Sequence, residues 1–515
     1  MKMRRSSGIL LHPSSLPGSF GIGDLGPSAF SFVDRLAEAG QGLWQVLPLG
    51  PTGYGDSPYA PFSTFAGNEI LLSPELLKAE GLLEADELAS LAELPSARVD
   101  YGALIARKTP LLHRAAGRFL NGASTERRAA FEAFRAAEAS WLEDYALFIA
   151  IKAEYDGKAR EEGRHGALWN NYWPKELALR DPAALAHEAE RRFEAKSRIE
   201  ALQFLFFEEW SALKSRANDH GIQIVGDMPI FVALDSADVW TRPELFKLDE
   251  RGRPLEVAGV PPDYFSADGQ LWGNPLYDWE RHEAEGFAWW IARLRAAISR
   301  YDAVRVDHFR GFEANWAVPA GERTARGGEW KKGPGKKLFA AVTAALGPDA
   351  PIIAEDLGFI TPEVRALRDD FGFPGMRILQ FAFDAAESGK PFDPGNGFLP
   401  HNYVERSVVY TGTHDNDTLA GWLEKSRNEE RAYIAAYLGF EPADPVRALV
   451  REAWKSVAAW AIAPLQDLLG LGGEARMNKP STLGGNWSWR MSAEAFTSEL
   501  ARDLKGLSRL YGRTN

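Results

Sequence analysis

The chain has 515 residues, 45% apolar and 25% charged, with a net charge of −12 and no cysteine. That length demands one large domain with insertions or several units, in a composition typical of globular proteins. The acidic balance argues against broad nucleic-acid binding, and the lack of thiols excludes disulfides and thiolate chemistry while allowing a reducing, cytoplasmic location.

No apolar run approaches a membrane span, and the run at 8–11 after the basic start is too short for a signal peptide. Seventeen tryptophans fit a large core or a set of platforms for flat, amphipathic ligands. Residues 8–11 read as strand one, ending at His12 and a Pro- and Ser-rich turn. Residues 29–39 carry apolar side chains at helical spacing and stop at Gly40 and Gly42. Strand two is expected at 43–49. It leads into a Gly-, Pro- and aromatic-rich loop at 50–62 that holds Ser57 and Tyr59. A loop of that length is functional or is packed by its own aromatics.

From 73 to 198 Ala, Glu, Leu and Arg dominate, which predicts amphipathic helices and a helical insertion. The Trp-rich island at 168–174 is expected to pack rather than to touch a ligand. A helix at 199–218 precedes strand three at 221–227, which ends in Asp227. A second insertion follows, with a hairpin turn at 248–255 and two further segments at 261–266 and 269–275. A helix at 285–300 returns the chain to strand four at 303–306, followed by Asp307 and His308. The basic, Gly-rich loop that begins at Trp330 is a candidate lid. Helices at 336–346 and 362–370 flank strand five, which starts at Pro351 and ends in Glu355 and Asp356. Strand six is expected at 376–383, before Asp384, and strand seven from Ser407 toward His414 and Asp415. A helix at 454–469, a weak strand eight at 475–478 and an aromatic tail at 482–490 complete the reading. The organisation is then 1–72 for strands one and two, 73–198 for the helical insertion and 199–228 for strand three. Residues 229–284 form the second insertion and 285–515 hold strands four to eight.

Strands alternating with helices predict an α/β fold, a (β/α)8 barrel with a large helical insertion, a smaller one after strand three and no separate C-terminal β-domain. A doubly wound open sheet is the alternative, and no Gly-rich fingerprint follows strand one to favour it. Asp227, Asp307, Glu355, Asp384 and Asp415 all end expected strands, and a closed barrel gathers such residues at one mouth. For Asp307 and Arg305 the plainer reading is a structural ion pair at a strand end. A metal site is not expected: His12, His308 and His414 are available, but there is no His-X-His pair on strand one, no lysine at the end of strand four and no dense oxygen cage. No cofactor is expected either. Glycosyl chemistry suits the mouth better. It needs one carboxylic acid to protonate a leaving oxygen and one carboxylate to attack the anomeric carbon or activate water. Crowded like charges in a partly dry pocket separate two such pKa values, and sugar C–H faces stack on Trp and Tyr. Spacing alone does not say which carboxylate does which.

Residues 305–311 (Arg-Val-Asp-His-Phe-Arg-Gly), 354–358 (Ala-Glu-Asp-Leu-Gly) and 413–416 (Thr-His-Asp-Asn) together resemble the signature regions of the α-amylase clan. The segments 12–18, 45–52, 57–59, 227–230, 269–275 and 485–490 narrow the resemblance to the amylomaltase family, the 4-α-glucanotransferases or disproportionating enzymes. It runs from near residue 8 to near 490 and is weakest in the helical insertion. The resemblance implies transfer of α-1,4-glucan segments between maltooligosaccharides or starch chains by a retaining double displacement. No nucleic-acid or membrane partner is implied. Asp307 would be the nucleophile, Glu355 the general acid and then base, and Asp415 the residue that holds sugar hydroxyls and the cation-like transition state. In a retaining pair the working carboxyls lie about 5 Å apart. Arg305 lies on the same side of its strand as Asp307 and would keep it ionised. His414 would donate to the same sugar, and Tyr59 would stack on it. Ser57, Asp227, His308 and Asp384 are further expected substrate contacts. Trp272, with Gln270 and Asn274, would overhang the cleft near the acceptor. The wording Leu-Gly-Gly-Asn at 483–486 departs from the family's, so Asn486 and Trp487 are not carried over. Transfer and hydrolysis share one intermediate; the Trp272 loop, the Trp330 loop and the tail after Asn478 would be the means of excluding water. An α-glucan hydrolase of the same clan and a non-catalytic glucan-binding barrel are the alternatives.

Overall fold

The strands, in chain order, are β1 Ser6–Leu10, β2 Leu43–Gln45, β3 Gln223–Met228, β4 Glu256–Val260, β5 Gln270–Pro275, β6 Ala303–Val306, β7 Ala314–Pro319, β8 Glu329–Lys332, β9 Ile352–Ala354, β10 Gly375–Ile378, β11 Ser407–Tyr410 and β12 Trp460–Pro464. They come from a computed structural model that describes residues 1–262, 266–384, 392–482 and 484–514. Parts of two segments named above, residues 263–265 and Leu483, lie outside the described residues.

Eight strands form one sheet in the order β10-β11-β12-β1-β2-β3-β6-β9, each pair of neighbours parallel. Its two ends meet: the Ala354 N–H at the end of β9 donates to the Pro374 carbonyl just before β10, at 2.9 Å. The sheet thus approaches a closed (β/α)8 barrel, with helices between its strands. Side chains alternate along each strand, so one set fills the barrel and the other meets the helices. Leu10, Leu43, Val225, Ala303, Ile353, Met376, Val408 and Ile462 form one buried cluster. Ile9, Trp44, Ile224, Val304 and Ile352, one step away in sequence, belong to the larger cluster shared with the helices. Burial on both faces explains why the strands read as unbroken apolar runs.

The helical stretch between β2 and β3 holds Tyr101–Gly122, Thr125–Ala137, Leu142–Glu161 and Pro182–Arg191, before the long helix Phe193–Asp219 leads into β3. Its starts are capped: Asp100 accepts the Ala103 N–H, Ser124 that of Arg127, and Asp181 those of Ala183 and Ala184. Among the described residues no helix is long and apolar enough to cross a membrane.

Three expectations need correction. Strand eight is β12, inside the stretch read as a helix from 454 to 469, whereas 473–475 is a short turn. The run Ala458–Ala463 is rich in alanine and has no alternation, so a buried parallel strand there looks like more helix. Strand six ends at Ile378, and the chain turns through Gln380–Phe383, so Asp384 leaves a helical turn and not a strand. Finally, Trp272 and Trp330 are not on loops. They lie on β5 and β8 of a second, four-stranded antiparallel sheet ordered β5-β4-β7-β8. Its strands come from both sides of β6, and pairing across another element leaves no local signature.

Gly8 is paired with Leu43 where β1 meets β2. A Cβ there would lie 2.4 Å from the Leu43 Cβ and 2.5 Å from its carbonyl oxygen, so the neighbouring backbone would have to move. Gly8→Ala is expected to destabilise the barrel by about 1–3 kcal/mol. Thermal unfolding at fixed scan rate checks this; an unchanged midpoint would show that the two strands have room to spare.

Candidate active site

The barrel brings three distant stretches side by side. In the β3–β6 register Asp227 stands opposite Arg305, and in the β6–β9 register Arg305 stands opposite Ile353. The backbone continues this order past the strand ends. The Asp307 N–H donates to the Met228 carbonyl at 2.9 Å, and the Glu355 N–H donates to the Val306 carbonyl at 3.1 Å. Asp227, Asp307 and Glu355 therefore converge at the carboxyl ends of three adjacent strands.

Arg305 organises them. One guanidinium nitrogen donates to Asp227 Oδ2 at 2.6 Å and another to Asp307 Oδ1 at 2.7 Å, and the residue is 4% exposed. Burial works against its charge, but Asp227 and Asp307 outweigh burial and raise its pKa well above the usual range. Burial pushes Asp227 up, with Arg305 opposing. The same Asp227 oxygen accepts the Tyr59 hydroxyl at 2.7 Å. Burial and then Asp227 hold that phenol protonated, and it also feels Asp307 and Asp415. Ser57 fixes the approach of the Tyr59 loop by accepting the Tyr59 N–H at 3.2 Å.

Glu355 has a different environment. It is buried, with Oε2 accepting the His308 N–H at 2.7 Å and Oε1 the Leu357 N–H at 2.8 Å. Burial first, and the negative charge of Asp307 second, push its pKa up to about 8 against Arg305 and the two backbone donors. At neutral pH it carries a proton. Asp307 is 29% exposed at its side chain and is tied directly to a guanidinium. One carboxyl is set against a cation, the other against desolvation, so the two like groups have different electrostatic surroundings.

His308 supplies the bridge between them. It sits in the left-handed region at φ 49°, uncommon for a residue with a side chain, and that turn aims its N–H at Glu355. Its ring meets Trp272 edge to face at 4.8 Å. Burial lowers its pKa to about 4, so the ring is neutral, and its Nε2 has no hydrogen-bond partner among the described residues. Trp272 is 38% exposed and donates to the Gln270 side chain at 3.1 Å. Asn274, on the same face of β5, donates to the Val232 carbonyl at 2.9 Å and ties the strand to the loop after β3.

On the far side of the mouth, the His414 ring stacks on Tyr59 at 4.9 Å and 15°. The Asp415 side chain is 45% exposed and accepts the Asn478 amide at 2.6 Å, with His414 Nε2 at 3.4 Å from its other oxygen. Arg476 donates to the Asp415 carbonyl. Asn478 was not among the expected site residues; it lies in the stretch 475–478, where its side chain holds Asp415 in place of extending a strand. Trp487, also left aside, lies 5.8 Å from both Tyr59 and His414 and closes that aromatic group. His12, also buried, is close enough to feel His414: burial and then His414 lower its pKa to about 3. Asp384, beyond the Gln380–Phe383 turn, is one of several negative charges felt by Arg427, with Glu430 the largest.

The arrangement offers a carboxyl group oriented by an arginine, a second one whose proton burial retains, and aromatic faces around both. That set serves cleavage and re-formation of a glycosidic bond. Comparison with known proteins agrees. A family model described as 4-alpha-glucanotransferase matches residues 11–496. The chain is 50% identical to the 4-alpha-glucanotransferase of Synechocystis sp. over 513 residues, covering 99% of this chain and 98% of that one. It is also 50% identical to that of Thermus thermophilus over 516 residues, 99% of each. Its fold is similar to that of an amylomaltase from Streptococcus agalactiae solved in complex with acarbose, with a TM-score of 0.93 and 40% identity over 99% of this chain and 100% of that one.

Because Asp307 is the second cause of the raised Glu355 pKa, Asp307→Asn should lower it from about 8 while burial keeps it above an ordinary carboxyl. Infrared difference titration of the carboxyl band measures this; an unmoved midpoint would mean the two groups are not electrostatic neighbours.

Proposed function

The chain belongs to the 4-alpha-glucanotransferase family and is an enzyme of that activity, and from its site we infer which residues carry the reaction. Asp307 is the nucleophile. Its free oxygen attacks the anomeric carbon of the donor glucan while Glu355 gives its proton to the glycosidic oxygen, so the C–O bond breaks as the new ester bond forms. The leaving chain departs with a neutral 4-hydroxyl. Glu355, now ionised, takes the proton from the 4-hydroxyl of an incoming glucan as that oxygen attacks the anomeric carbon and breaks its bond to the Asp307 oxygen. Asp307 leaves as a carboxylate and Glu355 is protonated again. Two inversions give net retention.

The observation that carries this assignment is the contrast between Glu355, pushed up to about 8, and Asp307, bound to Arg305 at 2.7 Å. The first step needs an acid that is protonated and a nucleophile that is not. Arg305 also orients the nucleophile, since two donors of one planar group fix both carboxylates at once. Asp415 and His414 hold hydroxyls of the sugar at the cleavage point, and the Tyr59 ring supports its apolar face. His308, neutral and with a ring nitrogen that has no partner among the described residues, is suited to a sugar hydroxyl, as is Asp227 through its Oδ1, which also has none among them. Trp272 offers a stacking face over the acceptor. Ser57, Gln270 and Asn274 act by fixing the Tyr59 loop and β5. The substrates are α-1,4-glucans and maltooligosaccharides. The acidic charge argues against a nucleic-acid partner, and the lack of cysteine allows a cytoplasmic enzyme.

Incubation with maltotriose should give glucose together with a ladder of longer maltooligosaccharides; glucose and maltose with no longer product would overturn transfer. Asp307→Ala should reduce turnover at least about a thousandfold, and substantial residual activity would mean the nucleophile is misassigned. The alkaline limb of kcat/KM should fall as pH rises through about 8, where the acid loses its proton. A limb that stays flat to pH 10 would remove Glu355 from the role.

A further inference from the structure

Two well-exposed aromatic residues near the mouth, Trp330 at 38% and Phe359 at 70%, share a buried neighbour, Arg310. The guanidinium carbon lies 3.7 Å from the Trp330 ring centroid and 5.8 Å from that of Phe359. A guanidinium nitrogen donates to the Phe359 carbonyl at 2.8 Å, and Arg310 itself is 4% exposed, with a buried Nε that has no partner among the described residues. Trp316 meets Trp330 edge to face at 5.2 Å and is itself anchored through its indole N–H to the Ala325 carbonyl at 2.8 Å. Trp330 is therefore clamped over one face by a cation and along its edge by a second indole, while much of its surface stays open to water.

This geometry adds little to the core. An indole and a phenyl left wet beside a deeply buried cation mark a binding surface more than a packing one. A rigidly held ring face is also what the C–H face of a glucose unit stacks on at small entropic cost. The position identifies the ligand. Arg310 follows Asp307 on the turn Phe309–Phe312, and Phe359 lies on the loop that leaves Glu355. Trp330 and Trp272 belong to one sheet. An acid that protonates the leaving oxygen lies on the leaving-group side of the bond, which the acceptor later occupies, so the loop that leaves it borders the acceptor path.

We propose that Trp330 and Phe359, held by Arg310, form a distal acceptor subsite that stacks on glucose units of a long α-1,4-glucan beyond the one being joined, and so selects acceptors by length. The proposal rests on the reading of Glu355 as the acid.

The experiment uses α-maltotriosyl fluoride as a constant donor, with glucose or maltoheptaose as acceptor, in the wild type, Trp330→Ala, Phe359→Ala and the double variant. The loss should grow with acceptor length. KM should rise about tenfold for maltoheptaose, the size of one lost stacking contact, and less than about twofold for glucose. Equal rises for both acceptors, or no rise for maltoheptaose, would overturn the subsite. Phe359 is exposed enough that its variant does not threaten the fold, which keeps the test valid if Trp330→Ala is unstable. Calorimetric binding of maltoheptaose to Asp307→Ala, with and without Phe359→Ala, separates the two claims. About tenfold weaker binding supports the platform even if Glu355 proves not to be the acid, and unchanged binding refutes it even if the wild type transfers as expected.

Discussion

Arg305 is a guanidinium held almost out of water and shared by two carboxylates on neighbouring stretches of chain. Isolated burial of either charge would be strongly unfavourable, and removal of one partner from such a set typically costs several kcal/mol. The barrel solves this by register. Asp227 stands directly opposite Arg305 because β3 and β6 pair in parallel with that alignment, and Asp307 follows two residues later on the same side. A slip of one residue would turn Arg305 toward the helices and leave Asp227 buried without a cation. The same contact that makes the strand pairing tolerable also sets the orientation of Asp307.

The other half of the site depends on what is withheld. Glu355 receives two backbone N–H donors but no direct guanidinium, and burial beside Asp307 keeps its proton on. The left-handed turn at His308 serves both halves: it follows the strand that carries Arg305 to Asp307, offers an N–H to Glu355 and turns a neutral ring toward Trp272. Backbone conformations of this kind persist only where surrounding structure over-determines them. Here the barrel supplies that rigidity, and the loops and the second sheet supply the aromatic surroundings.

Much of this was legible in the sequence because a parallel strand announces itself twice, by an apolar run and by the polar residue that ends it. Asp227, Asp307 and Glu355 were found that way, and their convergence followed from closing the barrel. β12 was missed because Ala458–Ala463 satisfies a helix pattern as well as a buried strand, and only the place left open between β11 and β1 decides between them. Asn478 was missed, and Trp487 was named but given no role, for a different reason. They reach Asp415 and Tyr59 from a stretch with no regular element, and no periodicity encodes such contacts. Trp272 and Trp330 were recognised as residues of interest but placed on loops, since the pairing of β4 with β7 spans the whole of β6.

That pairing bears on how the enzyme can be altered. β4 lies between β5 and β7, with Val257 and Ala258 opposite Val318 and Ala317. The segment carrying β4 and β5 is therefore not a detachable cassette, despite lying in a single stretch of chain. Excising it would leave β7 with an open, apolar hydrogen-bonding edge, a template for joining edge to edge with another molecule. Shortened versions of this protein should fail through self-association before they fail through loss of the barrel, and an engineer who wants to trim the cleft would do better to shorten turns than to remove strands.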